Sequence, residues 1–372
     1  MKRFVLIFFL LIFLPLPVSA QGVDSDIYNE YLESFDLSSF DKLDDDTNRV
    51  LHQWGIDNFD FNKINNVSVT DFLSLAKDML MDRLADPLSS AVTIIGFVIL
   101  SSFVQGIKDD STSMNELYSV ISALVISLVI MIKMTDTITL CTGTVGIVGD
   151  FIYAFVPAFA VIVAVSGGIT TSFSTNATLL MLAQGMSFLS GTVFVPICNC
   201  FLALGICSSL RYELHLDRMV KILQRVITGG ISFLCAVFVS VLSIKTAVSA
   251  RADMLGIRSI RFAINTVVPV IGSSISEGLL AIQNYSSLIK SSVGIVGIIG
   301  VALVFMPAII QIVIWRLMLS ICGIVSDIFD DKSVGMVLSA FRNTMLIINV
   351  ILILSMVTTV ISIGILIAAR VN

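Results

Sequence analysis

The sequence predicts an all-α fold: a polytopic transmembrane helical bundle of about seven or eight spans, at ~20 apolar residues per span. A short acidic extracytoplasmic helical segment precedes the bundle. Two observations carry this reading. First, 56% of the 372 residues are hydrophobic and only 13% are charged, with a mean hydropathy of +0.98. Soluble domains run near ~45–50% apolar and about 25% charged. Second, the acids are not spread evenly. Residues 21–86 hold 15 of the 27 acids and 5 of the 22 bases, and the chain beyond them is slightly basic. These numbers exclude a water-soluble globular enzyme and a disordered chain. No basic face of useful size exists, so nucleic acid is not an expected partner and the lipid bilayer is.

Residues 1–20 read as a signal peptide. Lys2 and Arg3 form a basic start, Phe4 to Leu14 is an apolar run shorter than a span, and Pro15 and Pro17 precede the small-residue site Val18-Ser19-Ala20. Residues 21–86 then lie outside the cytoplasm. Within them Tyr28, Tyr31, Leu32 and Phe35 recur at helical spacing, as do Phe72, Leu75, Ala76, Met79, Leu80 and Leu84 after an N-cap at Ser68 or Thr70. Asp44, Asp45 and Asp46 lack the alternating ligands and glycine of a calcium loop and read as a solvated acidic face.

The transmembrane domain occupies 87–372. Its strong spans are 88–107, 116–133, 148–166, 178–208, 227–249, 292–320 and 344–369, with a weaker one at 262–283 that contains Glu277. Pro157, Pro196, Pro269 and Pro307 mark helix breaks. Lys133 and Lys245 end apolar runs 112 residues apart, and Pro157 and Pro269 repeat at the same interval. Residues 116–226 and 227–343 therefore read as two copies of a three-segment unit, of opposite orientation if each crosses three times. The basic stretches 210–225 and 250–261 both read as cytoplasmic loops, although one span separates them.

Five ionisable residues lie in or beside the apolar runs: Lys133, Asp150, Lys245, Glu277 and Arg316. A charge at a helix centre costs about 2.5–3.5 kcal/mol on insertion scales, so such groups face a partner, a cavity or the interface. Snorkelling serves for Lys133 and Lys245. Glu277 and Arg316 either pair or line a polar path. Two glycine ladders, Gly143, Gly146 and Gly149, and Gly294, Gly297 and Gly300, let helices approach closely, either inside the fold or between copies in a homo-oligomer. The six cysteines all lie in the membrane part, where packing is their ordinary role. No zinc-protease, serine-hydrolase or phosphate-loop motif occurs, so no catalytic residue, metal or cofactor is assigned and the chain is not expected to be an enzyme.

The stretch Ile244 to Val301 is the most distinctive. It contains Leu255-Gly256-Ile257-Arg258, the run Phe262 to Gly272 with Val268-Pro269, and Lys290 to Gly297 in the string Lys-Ser-Ser-Val-Gly-Ile-Val-Gly. With the order of leader, acidic segment and polytopic body, it resembles the stage III sporulation protein AE family of endospore-forming bacteria. The resemblance implies a multi-pass protein of the mother-cell membrane around the forespore. It implies membership of a secretion-like channel complex with ring-forming subunits, a separate ATPase and a forespore-made partner. Residues 21–86 would face the intermembrane space. The expected role is a channel or transport subunit, export-gate or permease-like; the alternative is a membrane scaffold for the other subunits.

Overall fold

The computed structural model describes residues 25–106, 112–194, 216–267, 272–329 and 331–369, with a few isolated positions between 196 and 207. The signal-peptide region and Pro269 lie outside these residues. The described elements are helical.

The acidic segment folds into short, capped pieces. Helix α1 is Ser25–Glu33, and a 3-10 turn follows at Ser38–Lys42. The aspartate cluster explains itself in α2, Asp45–Gln53. Asp44 is the N-cap and accepts from the Thr47 amide, while Asp45 and Asp46 sit in the first turn, where the helix dipole favours negative charge. After α3, Phe61–Asn66, helix α4, Val69–Arg83, begins with a capping box. Ser68 caps it, and the Asp71 carboxylate accepts from the Ser68 amide at 2.8 Å.

This segment does not stand apart from the membrane part. Tyr28, Phe40, Leu43, Val50, Leu51, Ile56, Phe59 and Phe72 are buried in one core continuous with the long helices. Phe40 packs edge-on against Phe151 and Phe155, and Tyr31 stacks on Tyr285 at 6.0 Å.

Five long helices follow: α5, Ala85–Gly106; α6, Thr112–Val165; α8, Leu216–Val267; α9, Gly272–Ile328; and α10, Lys332–Ala368. Between α6 and α8 lies α7, Ile169–Phe188, extended by a π-helical turn at Leu189–Phe194. Each of the five has a stretch long and apolar enough to cross a membrane. The expected seven or eight spans thus become five candidates among the described residues.

The difference has a local cause. The expected spans 116–133 and 148–166 belong to one helix, α6, because the polar stretch between them satisfies its own hydroxyls. Thr135, Thr139, Thr142 and Thr144 donate to the carbonyls of Met131, Thr135, Ile138 and Leu140, four residues back. Pro157 lies inside the same helix, and Pro307 lies inside α9. The basic stretch 250–261, expected as a loop, is likewise part of α8. The first two expected segments of the unit 116–226 are thus one helix, while much of the third, 178–208, lies outside the described residues.

Helix α10 is central and packs on α9, α6 and α8. Its antiparallel register with α9 places Gly294 against Ile367 and Gly297 near Ile363. A Cβ at Gly294 would lie 2.5 Å from Ile367, so only glycine admits this approach. Phe151, Phe155 and Phe159, one turn apart on α6, stack at 5.1 and 4.9 Å and fill the facing space.

Exposed apolar side chains then mark a layer. On α9, Val313, Leu317, Ile321, Ile324 and Ile328 are exposed, and no large apolar residue between 283 and 312 is. Ile121, Leu124, Leu128, Met131 and Ile132 on α6, and Leu88, Val92, Leu100 and Phe103 on α5, lie at the same end. The α9 stripe rises about 22 Å at ~1.5 Å per residue, most of a ~30 Å hydrocarbon layer. Helix α5 runs parallel to α9 in this layer. Cys322 Sγ lies 3.7 Å from the Ala91 carbonyl, and Ser101 donates to Asp331 at 3.1 Å.

Candidate functional site

The five ionisable residues do not converge. Glu277 and Arg316 sit on the same helix, α9, 39 positions apart, which separates them by about 58 Å along the axis. They cannot pair within one chain. Glu277 is exposed and Arg316 is half-buried. Lys245 on α8 is exposed, and its Nζ donates to Thr178 Oγ1 of α7 at 3.2 Å. Lys133 and Asp150 are exposed on α6.

What the structure does bring together is a polar face on α6. Lys133, Asp136, Thr139, Gly143 and Asp150 are exposed, and Gly146 is half-buried. Successive positions lie three, four or seven apart from 136 onward, which keeps them on one face. The face extends beyond the apolar belt of Ile121 to Ile132 and stops at the exposed Tyr153. A side chain added at Gly143 would meet nothing within 4 Å, so the face there is open.

The interior opposite this face is packed. Gly149 lies against Ser187 and Met186 of α7. Gly294 and Gly297 meet Phe159, Phe155 and α10, and a Cβ at Gly300 would come 2.9 Å from Leu43 of the N-terminal segment. A cleft between α6 and α7, lined in part by Phe159, Ser172, Thr175 and Asn176, has a volume of about 10 Å³, room for about one water and far below the ~300 Å³ at which ligand pockets begin. Pro196 is exposed. No cluster of three His, Cys, Asp or Glu side chains suited to a metal occurs among the described residues. Cys141 and Cys322 are buried, Cys235 is half-buried, and Cys200 and Cys207 are exposed.

Three buried charges that the sequence reading missed hold helix ends. Asp253 of α8 is 5% exposed. Its carboxylate accepts from the amides of Thr170 and Thr171 at 2.6 and 2.8 Å. It caps α7, whose own N-cap, Gly168, offers no side chain. Gly167 makes the preceding turn at φ +97, with Ile257 of α8 close by. Lys290 of α9, 3% exposed, donates to the Ala369 carbonyl at 2.7 Å, where the negative end of α10 favours a cation. Asp331 is the N-cap of α10 and also takes the Ser101 bond from α5. Asp253 lay unnoticed within an arginine-rich stretch; a lone acid there, level with a glycine-led helix start, was the available signal.

Long apolar helices around a glycine-packed seam, five of them long and apolar enough to cross a bilayer, are those of a helical membrane protein. The chain belongs to the stage III sporulation protein AE family, whose sequence profile matches residues 58–370; its role is in sporulation. It is similar to Stage III sporulation protein AE of Bacillus subtilis (strain 168), with 23% identity over 223 residues. That match covers 60% of this chain and 56% of the relative, just over half of the relative's length. No solved structure matches. The string Lys290 to Gly300 now has a physical content. Lys290 closes the end of α10, the glycines admit α6, α10 and Leu43, and Ser292 lies beside Tyr28.

Proposed function

We propose that this protein is a membrane-embedded channel or transport subunit of a stage III sporulation complex, in the mother-cell membrane around the forespore. Its conduit is shared between chains rather than bored through one, and the polar face of α6, which runs on beyond the apolar layer, forms the conduit's mouth. The observation that carries this reading is the placement of the polar residues. Lys133, Asp136, Thr139, Gly143 and Asp150 line the outer face of α6, while the inner face is filled by stacked phenylalanines. A polar face that long is useful only against water, a solute or another chain. The N-terminal segment, docked on α6 and α9 just before α5 enters the apolar layer, faces the intermembrane space in this account. Ring-forming subunits and a separate ATPase are the partners, and residues 1–20 are a signal peptide.

The test is charge reversal on the face. Asp150→Lys and Lys133→Glu should leave the protein in the membrane and in its complex, yet stop forespore development. Loss of the complex itself would instead favour the scaffold reading. One observation supports that second reading. The candidate span of α8 runs 46 residues, Ile222–Val267, and only 6% of its most apolar window is buried. At ~1.5 Å per residue it is about 69 Å long, more than twice a hydrocarbon layer. Lipid covers less than half of that length, and the exposed apolar residues Leu255, Ile260, Phe262 and Val267 further along α8 suit contact with other protein.

A further inference from the structure

Helices α9 and α10 carry two arginines at one level of their seam. The register that sets Gly294 against Ile367 and Gly297 near Ile363 brings Arg316 opposite residues 342–345. The charge of Arg342 acts directly on Arg316. Both are half-buried. Among the described residues no carboxylate comes within ion-pair distance of either. The Nε of Arg316 is buried and has no acceptor. Two like charges, partly removed from water, repel each other and call for a shared anion.

The depth of the pair says what kind of anion. Arg316 lies between Val313 and Leu317, which are 47% and 54% exposed and belong to the lipid-facing stripe. The Ala91–Cys322 and Ser101–Asp331 contacts fix the parallel register of α5 on α9. That register brings the start of α5, at Ala85, level with Arg316. Since α5 is a span of 19 residues from Ala85 to Phe103, Arg316 stands where the hydrocarbon ends and headgroups begin. Arginine is the side chain suited to a phosphate, because its planar fork offers paired donors. Basic sites between membrane helices are known to hold acidic headgroups.

We infer that Arg316 and Arg342 form a binding site for the phosphate of an anionic lipid headgroup, at the edge of the bilayer in the α9–α10 seam. The acyl chains would lie along Leu317, Ile321 and Ile324. The site concerns lipid rather than the transported solute and does not depend on the proposed conduit.

The experiment uses the full chain, purified in a neutral detergent, with phosphatidylglycerol, phosphatidylcholine or inorganic phosphate added. Retained lipid is counted by native mass spectrometry, and thermal unfolding is followed in parallel. Phosphatidylglycerol should remain bound and raise the unfolding temperature by several degrees; phosphatidylcholine should do so at least tenfold more weakly. The double variant Arg316→Gln/Arg342→Gln should lose both effects, and Lys at both positions should restore most of them. The single variant Arg342→Gln relieves the repulsion, so in neutral detergent it should unfold no earlier than the native chain. Undiminished phosphatidylglycerol retention by the double variant would overturn the inference. So would equal stabilisation by inorganic phosphate alone, which would mean a free anion, or a cross-link from residue 316 to a carboxylate of another chain.

Discussion

Helices α8 and α10 each carry a strongly apolar stretch, yet the two stretches are treated in opposite ways. Their most apolar windows have hydropathies of 2.2 and 2.8, yet 6% of the first and 56% of the second is buried. Helix α10 exposes no large apolar side chain among its described residues, whereas α8 exposes a dozen from Ile222 to Val267. The stripe of α8 that touches the core is narrow: Leu223, Ile227, Ile231, Phe238 and the fully buried Leu242. Apolar composition therefore says that a helix must be covered, and only packing says by what. Helix α10 is covered by its own chain. Helix α8 leaves its apolar window to be covered from outside the chain.

The comparison is sharpest when the same change is made in both. Leu352→Ala in α10 empties a fully buried position and should cost about 2–5 kcal/mol. Leu234→Ala in α8, where the side chain is 67% exposed, should shift the unfolding of the detergent-solubilised chain by less than ~0.5 kcal/mol. It should weaken association with other subunits instead. Equal losses of stability would break the distinction. The glycines offer a second pair. Gly294→Val meets Ile367 and should destabilise by about 1–3 kcal/mol through overpacking. Gly143→Val enters open space and should leave thermal unfolding nearly unchanged while narrowing the polar face.

Asp253→Ala tests the point where α8 does belong to its own chain. It orphans two amides at the start of α7 and should cost about 1–3 kcal/mol. Hydrogen exchange at Thr170 and Thr171 should rise selectively. Asp253→Asn, which keeps an acceptor, should lose less.

A smaller effect than at Asp253 is expected at the N-terminal segment. Tyr28 donates to the Phe59 carbonyl at 2.9 Å, and burial, aided by the charge of Asp60, raises its phenol above the ordinary 10.0. A buried neutral phenol adds stability that is complete below pH 10 and is lost as pH rises through its raised value. Tyr28→Phe should cost about 0.5–1.5 kcal/mol and remove that alkaline step. Proteolytic release of the segment as a function of pH reads both.

The sequence made some of this legible. Apolar runs located every long helix, Ser68 stood where α4 begins, and glycines at spacing three marked the seam at 294–300. Other features were hidden for physical reasons. A threonine-rich stretch looks like a loop until its hydroxyls bond back to their own helix, so α6 read as two spans. Asp253 caps a helix start 83 residues away, which local spacing cannot reveal. Glu277 and Arg316 attracted each other on paper because both interrupt apolar sequence. One continuous helix keeps them apart.

The central claim is that the polar path lies on the outside of α6. On a cysteine-free background, single cysteines at Thr139, Leu128 and Phe155 would be treated with a charged, membrane-impermeant thiol reagent in the assembled complex. These three positions belong to the polar face, the lipid-facing belt and the packed interior. The account predicts rapid modification at Thr139, with loss of sporulation, and protection at Leu128 and Phe155. Protection at Thr139 with modification at Phe155 would contradict it, since the path would then run through the interior of one chain.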